Sequence, residues 1–108
     1  MKHVRLFADK IKDNLRTDII GREIVTLERT ESTMDIAKKM LKDGAIEGTT
    51  IFVEEQTHGR GRSGKEWFCK NGKGLLLTVV LRPAIQTENS YLLMVITAVA
   101  IVQTIRDM

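Results

Sequence analysis

Cysteine and proline are nearly absent from this 108-residue chain, which has one of each, Cys69 and Pro83. A single cysteine excludes an internal disulfide framework and any cysteine-cluster zinc site. No long apolar run is present either. The richest stretch, Tyr91 to Val102, is interrupted by Thr97, closed by Gln103, and falls short of the ~18 apolar residues of a membrane span. The N-terminal MKHVRLFADKIKDNLR scatters charges where a signal peptide needs an apolar core. Internal repeats, low-complexity tracts and interdomain linkers are missing too. What remains is ordinary for a soluble globular protein, with 43% apolar and 29% charged residues. A mass of 12.2 kDa allows one core, so the chain is one small domain or a piece of a larger one. The expected address is the cytoplasm, with no membrane association.

Seventeen basic residues against 14 acidic ones leave a net charge of +3, too little to name a partner. Its distribution says more. Between Gly59 and Gly74 stand Arg60, Arg62, Lys65, Lys70 and Lys73 against one acid, Glu66, together with several glycines and the Trp67–Phe68 pair. Function should be sought there.

Apolar spacing predicts a lead helix over 5–16 and an extended segment over 19–27 bent at Gly21. Ser32 or Thr33 can cap a helix with its apolar stripe on Ile36, Ala37, Met40 and Leu41, ended at Gly44. Thr50–Val53 reads as a strand. The run from Gly74 to Leu81 reads as a central strand stopped by Pro83. Asn89 or Ser90 should cap a long apolar helix from Tyr91 to about Arg106, with Met94, Val95, Ala98, Val99 and Val102 as core or interface. The fold class is α+β: a partial mixed sheet with helices packed on it.

The segment from Gly59 to Lys65 fits three phosphate-binding patterns on paper. A dinucleotide fingerprint and a P-loop must each open a helix, whereas here another glycine and a strand follow. A kinase-type loop needs a valine where Glu66 stands. The chemistry remains: glycines allow close backbone approach, and arginines suit carboxylate or phosphate oxygens. Such a segment would be mobile until it closes over an anion; a solvated basic hairpin is the bland alternative. His58 lacks an evident acid partner, Cys69 lacks an activating histidine, and Glu54 and Glu55 face opposite sides of a strand.

Ser32-Thr33 opening a helix, then Glu55-Gln56-Thr57-His58-Gly59-Arg60-Gly61-Arg62-Ser63-Gly64-Lys65-Glu66-Trp67, then an apolar strand ending Leu81-Arg82-Pro83, resembles the biotin protein ligases. The match is to the first half of their class II synthetase-like catalytic domain, over residues 19–106. Residues 1–18 form the lead helix, and 19–108 a partial catalytic domain that ends after the last helix. That family uses ATP, with Mg2+, to make biotinyl-5′-AMP, then passes biotin to a lysine of a biotin carboxyl carrier protein.

The resemblance implies that Ser32 and Thr33 bond the biotin ring and Gln56 its polar head. Arg60, Gly61 and Arg62 would grip the biotin carboxylate and the adenylate phosphate, with Arg60 and Arg62 catalytic. Lys65 would meet the nucleotide, and Trp67 would pack over it. No metal ligand is implied. Met34 replaces a usual asparagine, and Lys65 a usual arginine, which keeps the charge but not the fork. The family's lysine–tryptophan–proline–asparagine–aspartate motif does not occur in this sequence. Alone, the chain is therefore expected to be inactive, or to work as a homo-oligomer or with a second chain. The rival reading is a small nucleic-acid-binding module built on the basic segment and Trp67. Operator binding is not expected, because no helix-turn-helix precedes residue 19.

Overall fold

The computed structural model describes residues 6–108. A short helix, α1 (Ala8–Asp13), leads into β1 (Ile24–Thr30), α2 (Thr33–Lys42), β2 (Thr50–Arg60), β3 (Glu66–Cys69), β4 (Leu76–Val79) and α3 (Tyr91–Asp107). The α+β reading holds.

The centre of the sheet is β2, eleven residues long. Along one edge β1 pairs with it in parallel, from Ile24 opposite Thr50 to Thr30 opposite Gln56. A parallel pair requires a crossover, and α2 supplies it. The other edge of β2 changes partner part-way. Its first half pairs antiparallel with β4, Thr50 opposite Val79 through Val53 opposite Leu76. Its second half pairs antiparallel with β3, Gln56 opposite Cys69 and Arg60 opposite Glu66, with an irregularity between Gln56 and Gly59.

Sequence chemistry explains α2 well. Ser32 is extended, at φ −157° and ψ 132°, and its side chain accepts the Met34 amide at 3.2 Å. Asp35 lies in the first turn and Lys39 and Lys42 in the last, matching the helix dipole. Gly44, at φ 88°, takes the left-handed turn that stops the helix. Ala37 packs with Ile51 and Val80, flanked by Val25, Leu27, Ile36 and Met40. Burying side chains like Ile51 and Val53, both almost fully covered, contributes roughly 1.5–3 kcal/mol each.

Several expectations need correction. The lead helix spans Ala8–Asp13 rather than 5–16, and residue 5 lies outside the described residues. Leu15 leaves the helix to pack on Gly21, where an added Cβ would lie 2.4 Å from its Cδ1. The extended segment becomes a strand only at Ile24, after turns around Gly21. The apolar run 74–81 is not the central strand. Four of its residues form β4, which pairs with β2 alone among the described residues, and Leu75 is 68% exposed. Ser90 stands at the N-cap of α3 but makes no capping hydrogen bond, because its backbone is already helical at φ −61° and ψ −24°.

Instead of packing on the sheet, α3 has no buried residue. With its lead-in turn it spans Thr87–Asp107, long and apolar enough to cross a membrane by length and composition alone. Thr97 and Gln103 break its apolar run without lowering the mean hydropathy of the helix below that level. A helix apolar all round belongs in the core of a larger protein or in a membrane.

Candidate functional site

The start of α2, the middle of β2 and the edge strand β4 meet at three polar side chains. Gln56 Oε1 accepts the Thr33 amide at 2.9 Å and lies 3.4 Å from Thr33 Oγ1. Thr33 Oγ1 in turn lies 2.7 Å from Thr78 Oγ1, where either hydroxyl can donate. Thr33 and Gln56 are buried, so leaving these groups unpaired would be costly. Beside them opens a cavity of about 230 Å³, lined on its apolar side by Leu75, Leu76 and Leu77 and also by Ser32, Met34 and Arg60.

Arg60, the last residue of β2, also borders a second cavity of about 350 Å³, with Glu31, Asp35, His58, Lys65 and Glu66 around it. Its guanidinium meets Asp35 in a two-point ion pair: Nε donates to Oδ1 at 2.9 Å and Nη2 to Oδ2 at 3.2 Å. That hydrogen bond holds the Asp35 carboxyl below the usual carboxylate range, helped by the charges of Arg60 and Lys38 and opposed by partial desolvation. The same bond, with the charge of Asp35, raises Arg60 above the ordinary arginine value.

The Gly/Arg segment is a hairpin, not an open loop. Its first residues, Gly59 and Arg60, belong to β2, and its far side returns as β3. The turn between them closes through the Gly61 amide donating to the Lys65 carbonyl at 2.7 Å. Ser63, at φ 57°, is left-handed, as is Gly64 at φ 74°. No helix of phosphate-binding length follows, in line with the rejection of dinucleotide and P-loop patterns. Trp67 sits opposite Gly59 with 64% of its surface exposed. With Gly61, Arg62, Ser63 and Lys65 it borders a third, open cavity of about 520 Å³. Arg62 Nη2 reaches Met94 Sδ of α3 at 3.8 Å.

The expected site residues thus fall into two adjoining groups. Ser32, Thr33, Gln56 and Arg60 share one cavity; Gly61, Arg62, Lys65 and Trp67 share another. Two residues went unnoticed in the sequence. Thr78 left a trace, the lone hydroxyl within an otherwise apolar run. Asp35 read only as a first-turn acid, since nothing local announces a partner 25 residues away. The remaining candidates have structural partners. Thr57 Oγ1 lies 3.0 Å from His58 Nδ1, and Glu55 pairs with Arg29 at 3.1 Å. Glu54 is buried and accepts the Leu6 amide. Among the described residues, no group of three His, Cys, Asp or Glu side chains is placed to hold a metal.

Comparison with known proteins settles the lineage. The profile of the biotin/lipoate A/B protein ligase family matches residues 26–108. The chain belongs to that family. It is 31% identical over 103 residues to the bifunctional ligase/repressor BirA of Bacillus subtilis (strain 168), covering 95% of this chain and 32% of that protein. To BirA of Bacillus spizizenii it is 32% identical over 101 residues, covering 94% of this chain and 31% of the relative. Among solved structures it is similar to the biotin protein ligase of Leishmania major in complex with biotinyl-5-AMP. That match has a TM-score of 0.50 and 34% identity, over 64% of this chain and 28% of the other. The motif resemblance to biotin protein ligases and the mixed α+β fold both stand. The chain spans about a third of the length of these curated family relatives.

Proposed function

We propose that this chain builds the biotin- and adenylate-facing part of a biotin protein ligase catalytic domain. The observation that carries the reading is the Thr33–Gln56–Thr78 cluster, buried at Thr33 and Gln56, which opens beside Arg60. A small bicyclic ligand with polar and apolar parts matches a cavity lined by both hydrogen-bonding groups and leucines. Ser32, Thr33 and Gln56 serve the ring head. Arg60, the Gly61 backbone and Arg62 serve the carboxylate and the phosphate, while Lys65 and Trp67 flank the nucleotide.

In the reaction, a biotin carboxylate oxygen attacks the α-phosphorus of ATP and pyrophosphate leaves. The amine of a carrier-protein lysine then attacks the acyl carbon of the mixed anhydride, loses a proton, and AMP departs. Both reactants of the first step are anions. Guanidinium groups offset their repulsion most where charge develops, and Trp67 packing over the adenylate would keep water from the anhydride. Mg2+ arrives with ATP as part of the substrate. The 108 residues hold no lysine–tryptophan–proline–asparagine–aspartate run, so full turnover calls for groups that these residues do not supply. An ATP-dependent transfer of this kind belongs in the cytoplasm.

Titration calorimetry of the 108-residue chain with biotin tests the reading. Saturable binding is expected, weakened ~5-fold or more by Gln56→Ala, since losing a hydrogen bond at a buried site costs ~1–3 kcal/mol. No heat at millimolar biotin would overturn it. Steeply salt-dependent binding of an oligonucleotide, with no biotin binding, would favour the nucleic-acid module instead. Against that module stands Arg60, whose guanidinium already faces Asp35.

A further inference from the structure

We propose that Asp35 is a positioning residue, which pins one edge of the Arg60 guanidinium so that the other edge meets a ligand carboxylate in the Thr33–Gln56 cavity. The inference rests on the biotin reading above and adds a residue and a role to it.

Arg60 stands between two cavities and borders both, whereas Asp35 borders only the one on the hairpin side. The two-point pair engages Nε–H and one Nη2–H of Arg60. A guanidinium has five N–H donors in a rigid plane, so both Nη1–H groups and the second Nη2–H remain for another acceptor. An unanchored arginine at a strand end would sample many rotamers, and a ligand would have to freeze them on binding. Asp35 removes that cost beforehand. Its own position is well supported, in the first turn of α2 where the helix dipole favours a carboxylate. It follows Thr33 by two residues, so a single helix start sets the hydrogen-bonding wall of the cavity and the orientation of its cation. The reciprocal shifts of the two groups, Asp35 downward and Arg60 upward, agree with a pair that is charged on both sides.

The alternative is that Asp35 competes with the ligand for Arg60. The two roles have opposite signatures. Biotin and biotin methyl ester, which lacks the carboxylate charge, are titrated into the full 108-residue chain and into Asp35→Asn. In parallel, exchange of the Arg60 Nε–H is followed by nitrogen-15 NMR without ligand. Positioning predicts that Asp35→Asn weakens biotin about 5–10-fold while the ester changes less than about twofold, and that the Arg60 Nε–H loses protection. Tighter biotin binding in the variant would show competition and overturn the proposal. So would equal weakening of both ligands, which marks general damage to the fold, or an Arg60 Nε–H as exposed in wild type as in the variant. If the wild-type chain binds neither compound, the biotin reading itself fails and the ligand half of this inference fails with it. Normal biotin binding with an unchanged biotin-to-ester ratio would overturn the role of Asp35 alone.

Discussion

Thr33 and Thr78 meet hydroxyl to hydroxyl at 2.7 Å across 45 residues of sequence, tying the start of α2 to the edge strand β4. Thr33 also donates its amide to Gln56, so Thr78 steadies the cavity without needing to touch a ligand. Thr78→Val keeps the shape and deletes the hydroxyl. Stability should fall by about 1 kcal/mol, the net worth of one such bond, and biotin affinity should fall with it. Urea denaturation and calorimetry on the same samples check both. Unchanged affinity would mean that Thr33 is held by Gln56 alone.

The hairpin glycines should separate by what an added methyl meets. At Gly59 a Cβ would lie 2.2 Å from Gln56 Nε2. Gln56 cannot swing aside without giving up its bond to Thr33, so Gly59→Ala should abolish biotin binding. At Gly61 the obstacle is Trp67 Nε1 at 2.4 Å. That indole is largely exposed and can move, so Gly61→Ala should fold normally and shift the Trp67 emission. At Gly64 nothing lies within 4 Å, and only the left-handed φ of 74° resists a side chain. Gly64→Ala should therefore cost about 1 kcal/mol of stability and leave biotin binding intact.

The Asp35–Arg60 pair sets a pH signature. Asp35 is depressed in the folded chain. Its contribution is therefore fully present above the ordinary aspartate pKa and is lost as pH falls through the depressed value. Arg60 is raised, so its share would be lost only in strong alkali. The stability difference between wild type and Asp35→Asn should thus stay flat from about pH 8 down to about pH 5. It should close only in acid below the usual aspartate range. Urea midpoints across pH measure this; a difference that already closes near pH 6 would point to another titrating group.

Every residue of α3 is at least partly exposed, Val95 and Val99 by about half. These two lie four residues apart on one helix face. Apolar surface of this extent promotes association, and the 108-residue chain is expected to sediment as a dimer or larger species. Val95→Lys with Val99→Lys should shift it toward monomer. A folded wild-type monomer at micromolar concentration would contradict this.

Where local rules govern, the sequence was readable. Ser32 before an apolar stripe with Gly44 behind it marked α2 almost to the residue, because caps and periodicity are local. The motif around Gln56 and Arg60 likewise named residues that the fold sets on one cavity. Tertiary choices were harder. Continuous hydrophobicity, as over 74–81, cannot distinguish a central strand from an edge strand, and β4 pairs with β2 alone among the described residues. A basic, glycine-rich run reads as a loop, yet Glu66–Cys69 gains a strand simply by lying against β2. The partners of Thr33 and Arg60 depend on which segments the fold brings together, and no local pattern pairs them.

The change of partner along β2 bears on how the site comes into being. Gln56 stands where β4 gives way to β3, and its neighbours Thr33 and Thr78 reach it from 23 residues before and 22 after. No hairpin or single helix turn can assemble these three groups locally. Closing two such loops comes first, at an entropic cost that grows slowly with length. The pocket therefore exists only once α2, β2 and β4 have come together, and opening any of the three segments destroys it. Ligand and fold are then linked by mass action: a compound seated there at 100 times its Kd should stabilise the whole chain by about 2.7 kcal/mol. A thermal melt thereby becomes an assay for the ligand.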